Sequence, residues 1–184
     1  MERYVLSARV LHWLMAAGFF FMWASGYAMT SLVAEDTALE EFLFGIHISA
    51  GVTLGGLLLL RILIRLFNTP PLLPDFMPSW EKLGSHLGHL GLYALPAAII
   101  FVGWAETDFG GHGVNWFGVA MPKLFPTLDT LWGLQLETVT ANLHKWFAYG
   151  MLALTVVHVV AVAKHRWVDG HDVLQRMAFG STKD

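Results

Sequence analysis

"ANLHKWFAYGMLALTVVHVVAVAKH", residues 141–165, is apolar enough to cross a membrane, yet it carries His144 and His158 well inside its ends. An imidazole in hydrocarbon is costly unless a partner holds it. Similar stretches recur at about 8–30, 42–67 and 85–105. Each, like 141–164, is close to the ~20 residues a helix needs to cross ~30 Å of hydrocarbon. No water satisfies backbone groups at that depth, so each span must be helical. The chain is read as an all-α membrane protein: one domain over residues 1–184, a four-transmembrane-helix bundle. Its 14% of charged residues lies well under the roughly one quarter usual in soluble domains.

The charges set an orientation. Arg3, Arg9, Arg61, Arg65, Lys82, Lys164, Arg166, Arg176 and Lys183 fall on one side of the four spans, and only Lys123 and Lys145 on the other. The positive-inside rule then puts both termini in the cytoplasm. The outer side also holds Glu35, Asp36, Glu40, Glu41, Glu106, Asp108, Asp129 and Glu137, a net of −6 against +3 inside. The start, "MERYVLSARVLHWLMAAGFFFMWASGYA", has signal-peptide features. It is read as an uncleaved first span, since cleavage would remove His12 with one of the four helices. The absence of cysteine excludes disulfides, zinc–thiolate sites, iron–sulfur clusters and covalently attached haem. No nucleic-acid partner is expected.

Between the spans, "NTPPLLPDFMPSWEK" has four prolines and cannot be a regular helix. Its Phe76, Met77 and Trp80 suggest contact with the membrane interface. A kink is expected at Pro96 in the third span. The long outer stretch 106–140, glycine- and aromatic-rich, is expected to fold as a periplasmic cap, with "TLDTLWGLQLETV" as a short amphipathic stretch. The tail "HRWVDGHDVLQRMAFG" reads as a short cytoplasmic helix.

Fourteen residues at 100° each is nearly four turns, so His144 and His158 share a helix face at depths ~21 Å apart. The fourth span enters from outside, which puts His144 near the outer surface and His158 near the inner one. His12 in the first span matches the depth of His158, and His47 in the second matches that of His144. Two pairs at two depths suit haem: two axial histidines leave no open position for oxygen chemistry and favour electron transfer. Zinc or copper would gather three or four ligands at one point. His47, Gly51 and Gly55 recur every four residues, so one face of the second span offers a ligand followed by a bare groove.

Arg61, Arg65 and Arg9 are candidates to pair with haem propionates, since guanidinium suits bidentate carboxylate contacts. The alternative is that they snorkel to headgroups and set orientation. Arg61, the deepest, is preferred for haem. His86 and His89 could bond a propionate or a quinone carbonyl, or serve as hydrogen-bonded packing residues. His112, His165 and His171 are read as solvated. Interhelical hydrogen bonding is the competing reading for the four intramembrane histidines, and a haem-free transporter or scaffold is the corresponding function.

The chain resembles the bacterial cytochrome b561 family over essentially its whole length. The likeness rests on "LHWLMA" (11–16), "GIHISAG" (45–51), "RILIRL" with "TPP" (61–71), "SHLGHLGLYALP" (85–96), "NWFG" with "MP" (115–122), "ANLHKW" (141–146) and "VVHVVA" (156–161). The resemblance implies two non-covalent b-type haems, with His12–His158 and His47–His144 as axial pairs. It also implies bacterial inner-membrane residence and electron exchange with the respiratory quinone pool, ubiquinone above all. One branch of the family is similar to a superoxide oxidase, which passes an electron from superoxide to ubiquinone. An outer face of −6 instead suits a cationic partner such as a periplasmic c-type cytochrome. The chain could then be an electron-relay anchor subunit with no turnover of its own. Superoxide would need a local field from Lys123 and Lys145.

Overall fold

The computed structural model of the chain describes residues 2–73 and 77–180. Four long helices dominate: α1 (Leu6–Ser31), α2 (Ala38–Phe67), α3 (Ser79–Phe109) and α4 (Leu136–Trp167). Each is long and apolar enough to cross a membrane. Their large side chains point outward in numbers no soluble bundle would tolerate: Phe20, Leu66 and Leu90 are each more than three-fifths exposed. The α3 helix runs unbroken through a fully buried Pro96 and starts at Ser79, earlier than the apolar pattern indicates.

Local chemistry explains the helix ends. Thr37 Oγ1 accepts the amide N–H of Glu40 at the start of α2, and Glu40 returns a carboxylate oxygen to the Asp36 N–H at 2.7 Å. That is close to a capping box, and Glu40 and Glu41 also favour the positive end of the helix dipole. The last turn of α4 carries Lys164, His165 and Arg166, the complementary choice.

The helices pair two by two. In the first pair α1 lies along α2, and in the second α3 lies along α4; α2 meets α3 over a short length only. Glycines permit the close approaches. A Cβ on Gly18 would come within 2.7 Å of Leu54, and one on Gly91 within 2.8 Å of Leu154. Small residues at such crossings are how membrane helices gain dispersion contacts without a hydrophobic driving force. Met15, Leu54 and Leu58 form the small buried core, flanked by Phe19, Met22, Tyr93 and Ile100.

Residues 110–135 form a cap of two antiparallel hairpins, β1 (Asn115–Trp116) with β2 (Val119–Ala120) and β3 (Thr130–Leu131) with β4 (Leu134–Gln135). The expected amphipathic stretch is therefore the second hairpin and the first turn of α4. The reason is local: Phe117–Gly118 and Trp132–Gly133 all have positive φ, the requirement of a two-residue hairpin turn. Fully buried Asp108, near the end of α3, accepts the N–H groups of Leu124 and Phe125 and ties the cap down.

The first and last described residues lie at the opposite end of the bundle, called here the terminal end. The tail is a 3-10 turn, Val173–Arg176, in place of the expected α-helix. It is laced to the N-terminus through Arg9 to the Ala178 carbonyl, Trp13 Nε1 to the Met177 carbonyl and Tyr4 N–H to the Arg176 carbonyl. Met77 is buried and Trp80 exposed; Phe76 and Lys183 lie outside the described residues.

His165 is not solvated. It is buried, and its Nδ1 lies 2.8 Å from Asp169, beside Lys164, which bridges Asp169 and Glu81. This cluster fastens the start of α3 to the end of α4. Hydrogen bonding from Lys164, then from His165, holds the Asp169 carboxyl below the ordinary aspartate value of 3.8. The folded chain thus takes up this proton less readily than the unfolded chain. The stabilisation is fully present above pH 3.8 and is lost as pH falls through the lower folded value. Asp169→Asn is expected to lower the thermal midpoint in detergent at neutral pH. The gap from wild type should narrow in a titration below about pH 4.

Candidate cofactor site

The four histidines singled out by depth meet as two pairs across the seam between the helix pairs. His12 on α1 and His158 on α4 have ring centroids 6.4 Å apart; His47 on α2 and His144 on α4 are 6.1 Å apart. Two metal–nitrogen bonds of about 2 Å each, plus half a ring on either side, give a separation of about 6 Å. Both pairs have the spacing of imidazoles facing one another across a metal centre.

At the His47–His144 pair the hydrogen bonds also set the tautomer. Ser25 Oγ donates to the Met22 carbonyl at 3.1 Å, so its contact with His47 Nδ1 at 2.9 Å is one in which the ring N–H donates. His144 Nδ1 lies 3.0 Å from the Ile99 carbonyl, which can only accept. Both rings therefore hold their proton on Nδ1 and keep the Nε2 lone pair free, the usual arrangement of metal-ligating histidines. Glycine makes room for both. A Cβ on Gly103 would sit 2.9 Å from His144 Cε1 and Nδ1, and one on Gly26 would sit 3.3 Å from His47 Cε1. Gly51 and Gly55, expected to leave a bare groove, instead face Met22 and Ile100 at ordinary contact distance.

The pair nearer the termini is built differently. Arg61 donates to the Ala8 carbonyl at 3.3 Å, lies 3.4 Å from His12 Nδ1 and covers the Tyr93 ring. A third imidazole joins here: His89 on α3 has its centroid 6.0 Å from that of His158. His89 and His158 belong to the same tightly packed helix pair, however, whereas His12 faces His158 across the seam between the two pairs. Among the described residues, Arg9, Arg61 and Arg65 have no carboxylate partner. Arg9 is held by the tail, and Arg65 lines a groove of about 350 Å³ with Ile62, Leu66, His86, His89, Leu90 and Tyr93. Arg61, beside His12 and without an acidic partner among the described residues, suits a carboxylate of a porphyrin.

Sequence reasoning left the place of His89 open and missed Ser25, Gly26 and Gly103. The signal for the glycines was their presence inside spans, where small residues mark close approach.

A membrane-crossing helical bundle that sets imidazoles in facing pairs belongs to the class of haem-binding membrane redox proteins. The model of the prokaryotic cytochrome b561 family matches residues 3–180, and the chain belongs to that family. It is 33% identical to cytochrome b561 homolog 2 of Escherichia coli (strain K12), over 100% of this chain and 95% of that one. It is 30% identical to the probable superoxide oxidase CybB of Yersinia pestis, over 91% of this chain and 90% of that one. The protein is thus a bacterial multi-pass membrane protein of electron transfer, and its family implies a b-type haem cofactor.

Gly103→Ala should push the His144 ring out of place and lower bound haem per protein, by pyridine haemochrome assay against protein mass. Gly26→Ala, with a looser contact, should do so less. Gly150→Ala, with nothing near its Cβ, should retain the full complement.

Proposed function

We propose that the chain is a dihaem b-type cytochrome of the bacterial inner membrane. It carries electrons between a donor at the capped, periplasmic end and the quinone pool, with both termini cytoplasmic. The observation that carries this reading is the pair of imidazole pairs across one seam, each spaced so that both rings could hold one metal ion between them. His47 and His144 hold the outer haem, and His12 and His158 the inner one. The residues 1–184 act as one domain around these sites. Haem supplies one-electron redox chemistry; the chain orients it, excludes water and tunes its surroundings.

Each side chain has a part. Ser25 and the Ile99 carbonyl keep His47 and His144 in the ligating tautomer. Arg61, with Arg65 and Arg9, would pair with propionates at the inner site, a stronger partner for Arg61 than its contact with His12. The terminal end is closed by the laced tail, whereas the groove of Arg65, His86, His89 and Tyr93 opens sideways between α2 and α3. An apolar carrier with carbonyl acceptors, a quinone, fits an opening of that chemistry. The nearly four helix turns, ~21 Å, between His144 and His158 would set two bound haems as a relay across the bilayer.

Superoxide as donor is supported by the likeness to the Yersinia pestis protein. A second reading is a relay subunit that docks a periplasmic c-type cytochrome or dehydrogenase, and it is supported by the acidic excess of −6 at the capped end.

A reduced-minus-oxidised spectrum of the purified protein should show a sharp b-type α-band, and its absence would end the haem account. His144→Ala and His158→Ala should each keep one of two haems; retention of both in either variant would overturn the pairing. Addition of superoxide, or of a reduced c-type cytochrome, to protein with ubiquinone separates the readings. The donor that reduces the haem rapidly at low ionic strength is the one the capped end admits.

A further inference from the structure

The first cap hairpin does not sit on top of the bundle. It folds down along the back of α2. Ser49 Oγ accepts the Phe117 N–H at 2.9 Å and approaches the Asn115 carbonyl at 3.3 Å, while Trp116 Nε1 donates to Thr53 Oγ1 at 3.0 Å. Ser49 and Thr53 lie about 200° and 240° around the helix from His47, so the hairpin occupies the face turned away from the seam.

Depth follows from α2 itself. Phe42–Leu60 is free of charged residues, between Glu41 and Arg61. A helix of that length rises about 28 Å, close to the ~30 Å hydrocarbon thickness. Ser49 and Thr53 lie roughly 10 and 16 Å inward from its outer end. A hairpin fastened to them is inside the leaflet, on the lipid side of the bundle.

Its composition fits that place. Phe117, Val119 and Trp116 are 68%, 58% and 41% exposed. Non-helical backbone at membrane depth needs its polar groups satisfied. Ser49, itself buried, accepts the Phe117 N–H while giving its own hydrogen to the Gly45 carbonyl at 2.8 Å, so it satisfies one such group on the edge facing α2, and each strand is only two residues long. Met121 N–H closes on the Val114 carbonyl at 2.9 Å at the base of the hairpin.

We propose that the β1–β2 hairpin is a re-entrant element embedded in the leaflet at the capped end, with Phe117 and Val119 in contact with acyl chains. The β3–β4 hairpin, which leads directly into the first turn of α4, stays at the membrane surface with Trp132 at its tip.

The chain has no cysteine, so single-cysteine variants need no prior background. Phe117→Cys, Val119→Cys and Trp132→Cys would each carry a nitroxide in proteoliposomes of phosphatidylethanolamine and phosphatidylglycerol. Collision with oxygen, which partitions into lipid, is compared with collision with a water-soluble nickel chelate. Labels at 117 and 119 are expected to favour oxygen, and the label at 132 the chelate. Val119→Cys keeps the test valid if a label in the positive-φ turn disturbs the hairpin. Chelate contact at 119 equal to that at 132 would place the hairpin in water and overturn the proposal. The readout is depth rather than redox activity, so it stands apart from the functional reading above.

Discussion

Helices that pair two by two leave a seam, and imidazoles from both pairs face one another across it in two layers. The α1–α2 and α3–α4 pairs are close because Gly18 and Gly91 let Leu54 and Leu154 approach their backbones. The seam between the pairs lacks such contacts over most of its length, and both histidine pairs span it. The α4 helix supplies a histidine to each layer, which makes it the common rib. The buried plug of Met15, Leu54 and Leu58 lies on α1 and α2 between the two layers. It separates the layers, with Tyr93 and Ile100 of α3 packed against it from across the seam.

The two layers differ in how they hold a ring nitrogen. At the capped end, neutral oxygen acceptors on Ser25 and Ile99 fix both tautomers, so the pair is ready to ligate as it stands. At the terminal end, a guanidinium lies beside His12 Nδ1, and a donor there favours the wrong tautomer for ligation through Nε2. Arg61 must turn to an anion for His12 to serve as a ligand. The arginines that set orientation by the positive-inside rule are thus the same ones that an anionic cofactor would engage. Snorkelling and cofactor pairing need not compete, because Arg61 and Arg65 lie near the end of the apolar stretch of α2, where one side chain could serve both.

Much of this was legible because a membrane simplifies the code. Span length follows from bilayer thickness, and an up-down-up-down topology converts sequence position into depth. His12 could therefore be matched with His158, and His47 with His144, by counting residues. Depth says nothing about rotation around a helix axis. That is why His89, at the right depth, could not be placed, and why Gly51 and Gly55 were assigned a groove that Met22 and Ile100 fill. Gly26 and Gly103 carry no pattern distinguishing a glycine against a ring from one against a leucine. The hairpins escaped because "LWGL" and "WFGV" are too short for periodicity, and the turn depends on an aromatic residue accepting positive φ ahead of glycine. His165 was taken for tail because α4 continues beyond the apolar stretch, held by Glu81, Lys164 and Asp169.

The small core has a consequence for how such a bundle is stabilised. Lipid is as apolar as the side chains, so burying leucine between helices gains little beyond dispersion. Within each pair, glycine contacts supply that dispersion. Across the seam such contact is sparser, Gly55 against Ile100 being one case, and the polar groups gathered there, imidazoles and arginines, favour separation unless something joins them. A ligand that binds the folded seam and not the unfolded chain stabilises the fold by mass action. A flat apolar ring with two anionic arms would add contact area to both helix pairs and neutralise the terminal-end guanidiniums at once. Cofactor binding and the docking of one helix pair on the other are then a single event. The features that look weakest as packing, the sparse seam and the arginines without a carboxylate among the described residues, are the ones a bound anionic ring would stabilise most.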